Sequence, residues 1–213
     1  MKTKTTLILL VATTLTLSGC MSIAWIGFKK PVEGDFVNLN SNDSCMKIAT
    51  QNLNERQKKA VLEAATEVCN IFHSDEFKQR VIAQTWLASC DEKNGKPDEV
   101  KGEEVYKILM KKISNYSVHP RKPWRAIAQT QRNEVDFVYN RVAIKPKRIE
   151  AWYSQIDTVK SGLVNTIAHE TTHIVSFDFA DSGHGSDKCP DSRLVSYGIG
   201  DLVEELWLKQ HKK

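Results

Sequence analysis

Residues 157–177 have the sequence DTVKSGLVNTIAHETTHIVSF, and the other elements of the chain are best considered relative to this segment. Its apolar residues recur every three or four positions, which predicts a helix with Asp157 as its N-cap. Near its end, residues 169–173 form the pattern H-E-x-x-H. Side chains four residues apart project from the same face of a helix, so the imidazoles of His169 and His173 can reach one metal ion. The stretch therefore predicts a helix that carries two metal ligands.

This motif resembles the signature of zincin metallopeptidases, and the resemblance covers this one helix. It implies a zinc cofactor held by His169 and His173, with Glu170 as the general base that takes a proton from the zinc-bound water. A purely structural metal site needs no general base beside it, so Glu170 favours a hydrolase. Two ordinary core or surface histidines are the alternative interpretation of the motif.

A catalytic zinc site takes three protein ligands and a water, so a third ligand is expected after His173. We expect His184 in this role. It lies between glycines in the segment Ser182-Gly183-His184-Gly185, where the backbone can turn sharply back toward the helix. Asp191 and Glu204 remain alternatives, although Asp191 also suits a helix N-cap and Glu204 falls on the predicted solvent face of the last helix.

The layout after the motif is similar in part to that of the aspzincins, in which a loop and an acidic ligand precede Tyr-Gly. Tyr197-Gly198 is present, but Leu194 stands three residues before the tyrosine, where the aspzincin pattern has Asp. The zincin resemblance implies that Tyr197 donates to the oxyanion of the reaction, and a packed helix residue is the alternative. Asp178 or Asp181 would orient a ligand histidine through its second nitrogen.

The first 20 residues have the pattern of an export signal. Lys2 and Lys4 precede an apolar run that is too short to span a membrane. The closing residues Leu17-Ser18-Gly19-Cys20 resemble a bacterial lipobox, which implies that residues 1–19 are removed and that Cys20 carries lipid. If the host has two membranes, Met21 in place of Asp favours the outer one. We therefore expect a lipid-anchored protein of the cell envelope, with an ordinary cleaved signal as the alternative.

The composition of the remaining chain suits one domain with a sizeable core. Loss of Lys2 and Lys4 lowers the net charge from +4 to +2, which is too small to indicate nucleic-acid binding. Residues 20–44 are rich in Gly, Pro, Asn and Ser and are expected to form a membrane tether, followed by a domain of residues 45–213.

Four cysteines remain after Cys20, and an even number in an exported chain predicts two disulfides. They are Cys45, Cys69, Cys90 and Cys189, and their pairing stays open among three possibilities. Because Cys189 follows the motif closely, one disulfide is expected to hold the loop near the site.

Periodicity predicts helices over 54–72, from the N-cap Ser74 through Trp86, over 103–113 and over 192–208. Strands are expected over 116–119, 125–130 and 135–144. The zincin resemblance implies an α+β single domain with N-terminal helices, a small twisted sheet, the motif helix and a C-terminal helix. In zincins an edge strand beside the motif helix pairs with an extended substrate, and residues 135–144 are the candidate. An internal strand without a substrate role is the alternative.

These observations predict a zinc metallopeptidase that hydrolyses peptide bonds in the cell envelope. Its partners would be a peptide or protein substrate and the membrane, the latter through Cys20. A non-catalytic metal-binding or structural envelope lipoprotein is the alternative from another class. A hydrolase of peptidoglycan amides would use the same chemistry on a different bond.

Overall fold

The computed structural model describes residues 31–39, 45–93, 96–111, 114–120, 126–131, 140–181, 184 and 189–212. The expected signal peptide of residues 1–19 lies outside these ranges. So do residues 20–30 of the expected tether, which include the lipidation residue Cys20, its residues 40–44, and residues 132–139. Within the described part of the chain, no helix has both the length and the apolar character needed to cross a membrane.

The described residues form one α+β domain with six helices and seven strands. The helices are α1 (Glu55–Phe72), α2 (Asp75–Ile82), α3 (Gly102–Lys111), α4 (Pro146–Glu150), α5 (Asp157–Val175) and α6 (Val195–His211). The strands are β1 (Phe36–Leu39), β2 (Met46–Thr50), β3 (Thr85–Lys93), β4 (Lys96–Lys101), β5 (Ser114–Pro120), β6 (Ala128–Gln131) and β7 (Arg141–Ile144).

Side-chain caps explain where the first two helices begin. The Asn54 side chain accepts from the backbone N–H of Gln57 at 2.8 Å, and the Gln57 side chain accepts from the backbone N–H of Asn54 at 3.2 Å. This reciprocal capping box satisfies two amides that the helix leaves free. Ser74 caps α2 with a single hydrogen bond, in which its hydroxyl oxygen accepts from the backbone N–H of Phe77. The prediction of Asp157 as the N-cap of α5 is wrong by one residue, because Ile156 is the N-cap and Asp157 is the first residue of the helix.

The main sheet has the strand order β1-β2-β5-β7-β6. The pairs β2–β5 and β5–β7 are parallel, while β1–β2 and β6–β7 are antiparallel. Alternate residues of each strand point to the same side of the sheet. The apolar residues of one face are therefore buried together against the helices. The buried residues of this face are Met46, Ile48, Tyr116, Val118, Val142 and Ile144. Strands β3 and β4 form a separate antiparallel pair.

Helix α5 lies at the centre of the domain and is buried on most of its sides. It packs against α1, α6 and strands β5 and β6. Helix α6 approaches α5 closely at Gly200, where an added Cβ would lie 3.3 Å from the Cβ of His169. The motif helix is therefore held on two sides by helices and on a third by the sheet.

Three sequence predictions differ from the observed elements. Part of the expected tether, Phe36–Leu39, is strand β1 of the main sheet, so the domain begins before Cys45. The second helix ends at Ile82, and the residues that were expected to continue it form strand β3. Of the candidate edge strand, residues 141–144 form β7, which lies between β5 and β6, and the outer strand beside α5 is β6.

Candidate metal centre

Three side chains meet beside the C-terminal half of α5. His169 and His173 lie one helical turn apart, and Asp181 comes from the loop after the helix. Its Oδ2 lies 3.1 Å from Nε2 of His169 and 3.2 Å from Nε2 of His173, and the two Nε2 atoms are 3.2 Å apart. Among the described residues this is the group of histidine, cysteine and acidic side chains that could hold a metal ion.

The triangle of ligand atoms has the size that a tetrahedral metal site requires. Zinc bonds to nitrogen or oxygen are about 2.0–2.1 Å long, which places neighbouring ligand atoms of a tetrahedron about 3.3–3.4 Å apart. The observed separations of 3.1–3.2 Å fall a few tenths of an ångström below this value. The chemistry also fits, since two imidazoles and one carboxylate are common zinc ligands.

Hydrogen bonds outside the triangle orient two of the ligands. Nδ1 of His173 lies 2.6 Å from the carbonyl oxygen of Phe179. A carbonyl can only accept, so Nδ1 carries the proton and Nε2 keeps its lone pair for a metal in the neutral ring. On Asp181, Oδ1 accepts from the hydroxyl of Ser196 in the first turn of α6, which leaves Oδ2 for the triangle.

The pKa values of these groups reflect their mutual contacts. Burial would raise the pKa of Asp181, but its hydrogen bonds with His169 and His173 hold that pKa well below the usual range. Burial would lower the pKa of His173, whereas its hydrogen bond with Asp181 and the nearby negative charges raise it. The carboxyl group of Asp181 is therefore ionised, and its negative charge favours the binding of a cation.

Glu170 lies beside the triangle and is only 5% exposed. Burial raises the pKa of its carboxyl group, and the charges of His169 and His173 act in the opposite direction. Its Oε2 accepts a hydrogen bond from the hydroxyl of Thr130 on the outer strand β6. This contact fixes the carboxylate against the sheet, and the sequence did not predict it.

The structure places His184 outside the ligand triangle. Its Nδ1 lies 3.3 Å from Oδ1 of Asp191, and its ring stacks on Tyr197 with centroids 4.9 Å apart. The other candidate third ligand, Glu204, accepts hydrogen bonds from Ser161 and Asn165 on α5. Asp181 replaces His184 as the third member of the group, and Glu204 faces α5 instead of the solvent.

Tyr197 lies next to the triangle. Its ring meets the ring of His169 edge to face with centroids 4.7 Å apart, and its hydroxyl is 3.4 Å from Nε2 of His184. Burial, together with the charges of Asp181, Asp191 and Glu170, raises the pKa of Tyr197 to about 12. The phenol therefore keeps its proton at neutral pH and can act as a donor.

Three ties hold the loop that carries Asp181. The backbone N–H of Ala180 donates to the carbonyl of Ala88 on β3 at 2.9 Å. Cys90 of β3 forms a disulfide with Cys189, and Leu87 forms a parallel bridge with Leu194. The second disulfide joins Cys45 and Cys69. Both predicted disulfides are confirmed, including the expected one near the site.

The sequence offers Asp181 among several acidic residues after His173, but we expected it to orient a ligand histidine and ranked His184, Asp191 and Glu204 as the third ligand. The spacing of eight residues from His173 to Asp181 has no helical or strand period, and the loop between them is held by residues of β3 that are distant in sequence. The available signal was the acidic residue itself, since a carboxylate shortly after the motif is a possible ligand.

Comparison of the chain with protein-family models, with curated proteins and with solved structures gave no significant match.

Proposed function

We propose that this protein is a zinc-dependent metallopeptidase with His169, His173 and Asp181 as metal ligands and Glu170 as general base. The observation that carries the proposal is the meeting of three ligand atoms, 3.1–3.2 Å apart, beside a buried carboxylate. The antiparallel outer strand β6 beside the motif helix supports the proposal, because the zincin resemblance of the motif implies an edge strand at this place.

A zinc ion in the triangle would lower the pKa of a water molecule and polarise the carbonyl of the substrate. Glu170 would accept the proton of the attacking water and later deliver it to the leaving amine. Burial raises the pKa of this carboxyl group, which favours its acceptance of the proton. The phenol of Tyr197 would donate to the oxygen that becomes negative.

The outer strand β6 offers a place for an extended peptide. It pairs with β7 on one side, and no strand among the described residues pairs with its other side. A peptide could add there through backbone hydrogen bonds. Thr130 of β6 contacts Glu170, so a peptide along this strand would lie near the base. β6 therefore takes the substrate role that the sequence suggested for residues 135–144.

The alternative is a metal-binding or structural protein without turnover. Glu170 argues against it, because a buried carboxylate with a raised pKa is costly and a structural metal site does not need one.

We retain export by residues 1–19 and lipidation of Cys20 as parts of the proposal. Both would place the reaction in the cell envelope, where peptidoglycan amides are the alternative substrate.

The proposal is tested first by metal content and peptide cleavage of the purified full-length protein. We expect close to one zinc per chain by elemental mass spectrometry and hydrolysis of a mixed peptide library that stops when a chelator removes the metal. Absence of zinc after purification with zinc supplied would refute the metal centre. Stoichiometric zinc without cleavage of peptide or peptidoglycan would favour the non-catalytic alternative.

Substitution of the base separates binding from turnover. Glu170→Gln should keep zinc and reduce kcat by a factor of about 10² to 10⁴, the range for loss of a general base. The matched control is Glu204→Gln, which changes a hydrogen-bonded carboxylate on α6 outside the ligand triangle and should retain zinc and turnover. Full activity of Glu170→Gln would remove Glu170 from the mechanism.

A further inference from the structure

The carboxylate of Asp181 uses its two oxygens for different purposes. Oδ2 faces the two imidazole nitrogens at 3.1 and 3.2 Å, whereas Oδ1 accepts a hydrogen bond from the hydroxyl of Ser196. The side chain of Asp181 is 33% exposed, whereas Ser196 is fully buried. Its position in the first turn of α6 ties it to a rigid element that packs along α5.

We propose that Ser196 sets the coordination number of the metal by holding Asp181 as a one-oxygen ligand. The inference rests on the metal centre of the proposed function, but it does not depend on peptide hydrolysis. A carboxylate can bind a metal through one or both oxygens. With Oδ1 occupied by Ser196, each of the three side chains would supply one atom to the metal, which would leave room for water or substrate.

The same contact would also discriminate between metals. Calcium takes six to eight oxygen ligands and often binds both oxygens of a carboxylate, whereas zinc is satisfied by four ligands. By keeping Oδ1 from the metal, Ser196 favours a small tetrahedral ion over a large one. Ser196 is therefore a positioning residue that acts through Asp181.

The test compares Ser196→Ala with the full-length wild-type protein in zinc affinity and in the visible spectrum of the cobalt(II) form. Loss of an outer partner of a metal ligand typically costs about 10- to 100-fold in affinity, and we expect the zinc Kd from chelator competition to rise by that factor. Tetrahedral cobalt(II) absorbs more strongly than five- or six-coordinate cobalt(II). We therefore expect the absorption to weaken when Oδ1 becomes available to the metal.

Ser161→Ala is the matched control. Ser161 is also fully buried and donates to a carboxylate, that of Glu204, between the same two helices but away from the triangle. It should leave the zinc Kd and the cobalt spectrum unchanged. Ser196→Thr keeps a hydroxyl and should stay close to the wild-type protein. If the alanine variant fails to fold, Ser196→Cys provides the same readings, since its side chain is of similar size but a weak donor.

A folded Ser196→Ala or Ser196→Cys variant with wild-type zinc Kd and cobalt spectrum would overturn the proposal. An equal change in Ser161→Ala would also overturn it, because the effect would then belong to helix packing. A wild-type protein that binds neither metal would refute the centre and this inference together. A protein that shows the expected dependence on Ser196 but cleaves no peptide would refute the peptidase function alone.

Discussion

Asp181 and His184 lie three residues apart in one loop, but only Asp181 directs an atom between the imidazoles of His169 and His173. The difference arises from their contacts. Ser196 holds one oxygen of Asp181, whereas His184 pairs with Asp191 and stacks on Tyr197, with its side chain 45% exposed. A ligand needs an orientation fixed by its surroundings, and only Asp181 has one that points into the triangle.

Alanine substitution of Asp181 should therefore weaken zinc binding, whereas alanine substitution of His184 should not. Asp181→Ala removes a proposed metal ligand and should raise the zinc Kd by more than about 100-fold, since even outer partners of ligands contribute about 10- to 100-fold. His184→Ala should leave zinc affinity unchanged. Chelator competition on both purified variants measures the effect. Zinc loss in His184→Ala with retention in Asp181→Ala would restore His184 as the third ligand.

The sequence predicted the residues of the site that share a regular element. His169, Glu170 and His173 lie on one helix, so their relative position follows from the helical period alone. Asp181 and Thr130 reach the site through a loop and a strand, and their positions depend on contacts between distant parts of the chain. Such contacts leave no periodic pattern in the sequence.

At the scale of elements, the approach of α6 to its neighbours depends on a glycine. A Cβ added at Gly198 would lie 2.4 Å from a ring carbon of Trp86 and 2.8 Å from the carbonyl oxygen of Ser192. Trp86 cannot move aside easily, because it is buried and its Nε1–H donates to the carbonyl of Val81 at 3.0 Å. Gly198 thus allows β3 and α6 to pack in direct contact.

Gly198→Ala should lower the free energy of unfolding by about 1 to 2 kcal/mol. Overpacking costs about 1–3 kcal/mol, and the better helix propensity of alanine returns up to about 1 kcal/mol. Urea unfolding measures the change. Gly34→Ala is the control, since its Cβ would meet nothing within 4 Å, and it should change the value by less than about 0.5 kcal/mol. Equal stability of both variants would contradict the packing argument.

The same region shows why one element was predicted wrongly. Trp86 follows Phe77, Val81 and Ile82 at helical spacing, so the pattern favoured a helix that continues past residue 82. In the structure, α2 ends at Ile82 and Trp86 lies in β3. Its side chain is buried against α6, which is a tertiary contact that a local pattern does not contain. Helices with clear caps, such as α1 and α2, were placed correctly at their starts.

At the scale of the whole molecule, the two disulfides have different tasks. Cys45–Cys69 joins the residue before β2 to α1 over 24 residues. Cys90–Cys189 joins β3 to the segment after Asp181 over 99 residues. Both restrict the unfolded chain, and the longer loop restricts it more. Only the second also limits the freedom of the loop that carries Asp181.

Removal of each pair by Cys→Ala substitution should separate these tasks. Loss of Cys45–Cys69 should lower the free energy of unfolding by about 2–4 kcal/mol and leave the zinc Kd of the folded protein unchanged. Loss of Cys90–Cys189 should lower the stability at least as much and also raise the zinc Kd, because metal binding must then order the loop of Asp181. Urea unfolding and chelator competition measure the two quantities.

The size of this change in zinc Kd depends on how strongly the remaining contacts hold the loop of Asp181. Without the disulfide, the hydrogen bond from Ala180 to Ala88, the bridge between Leu87 and Leu194 and the contact of Ser196 with Asp181 would still connect it to β3 and α6. If these ties suffice, the zinc Kd of the Cys90→Ala/Cys189→Ala protein will equal that of the wild-type protein, and the disulfide will be a stabiliser of the fold alone. A raised Kd would show that the covalent link orders the ligand loop before the metal binds.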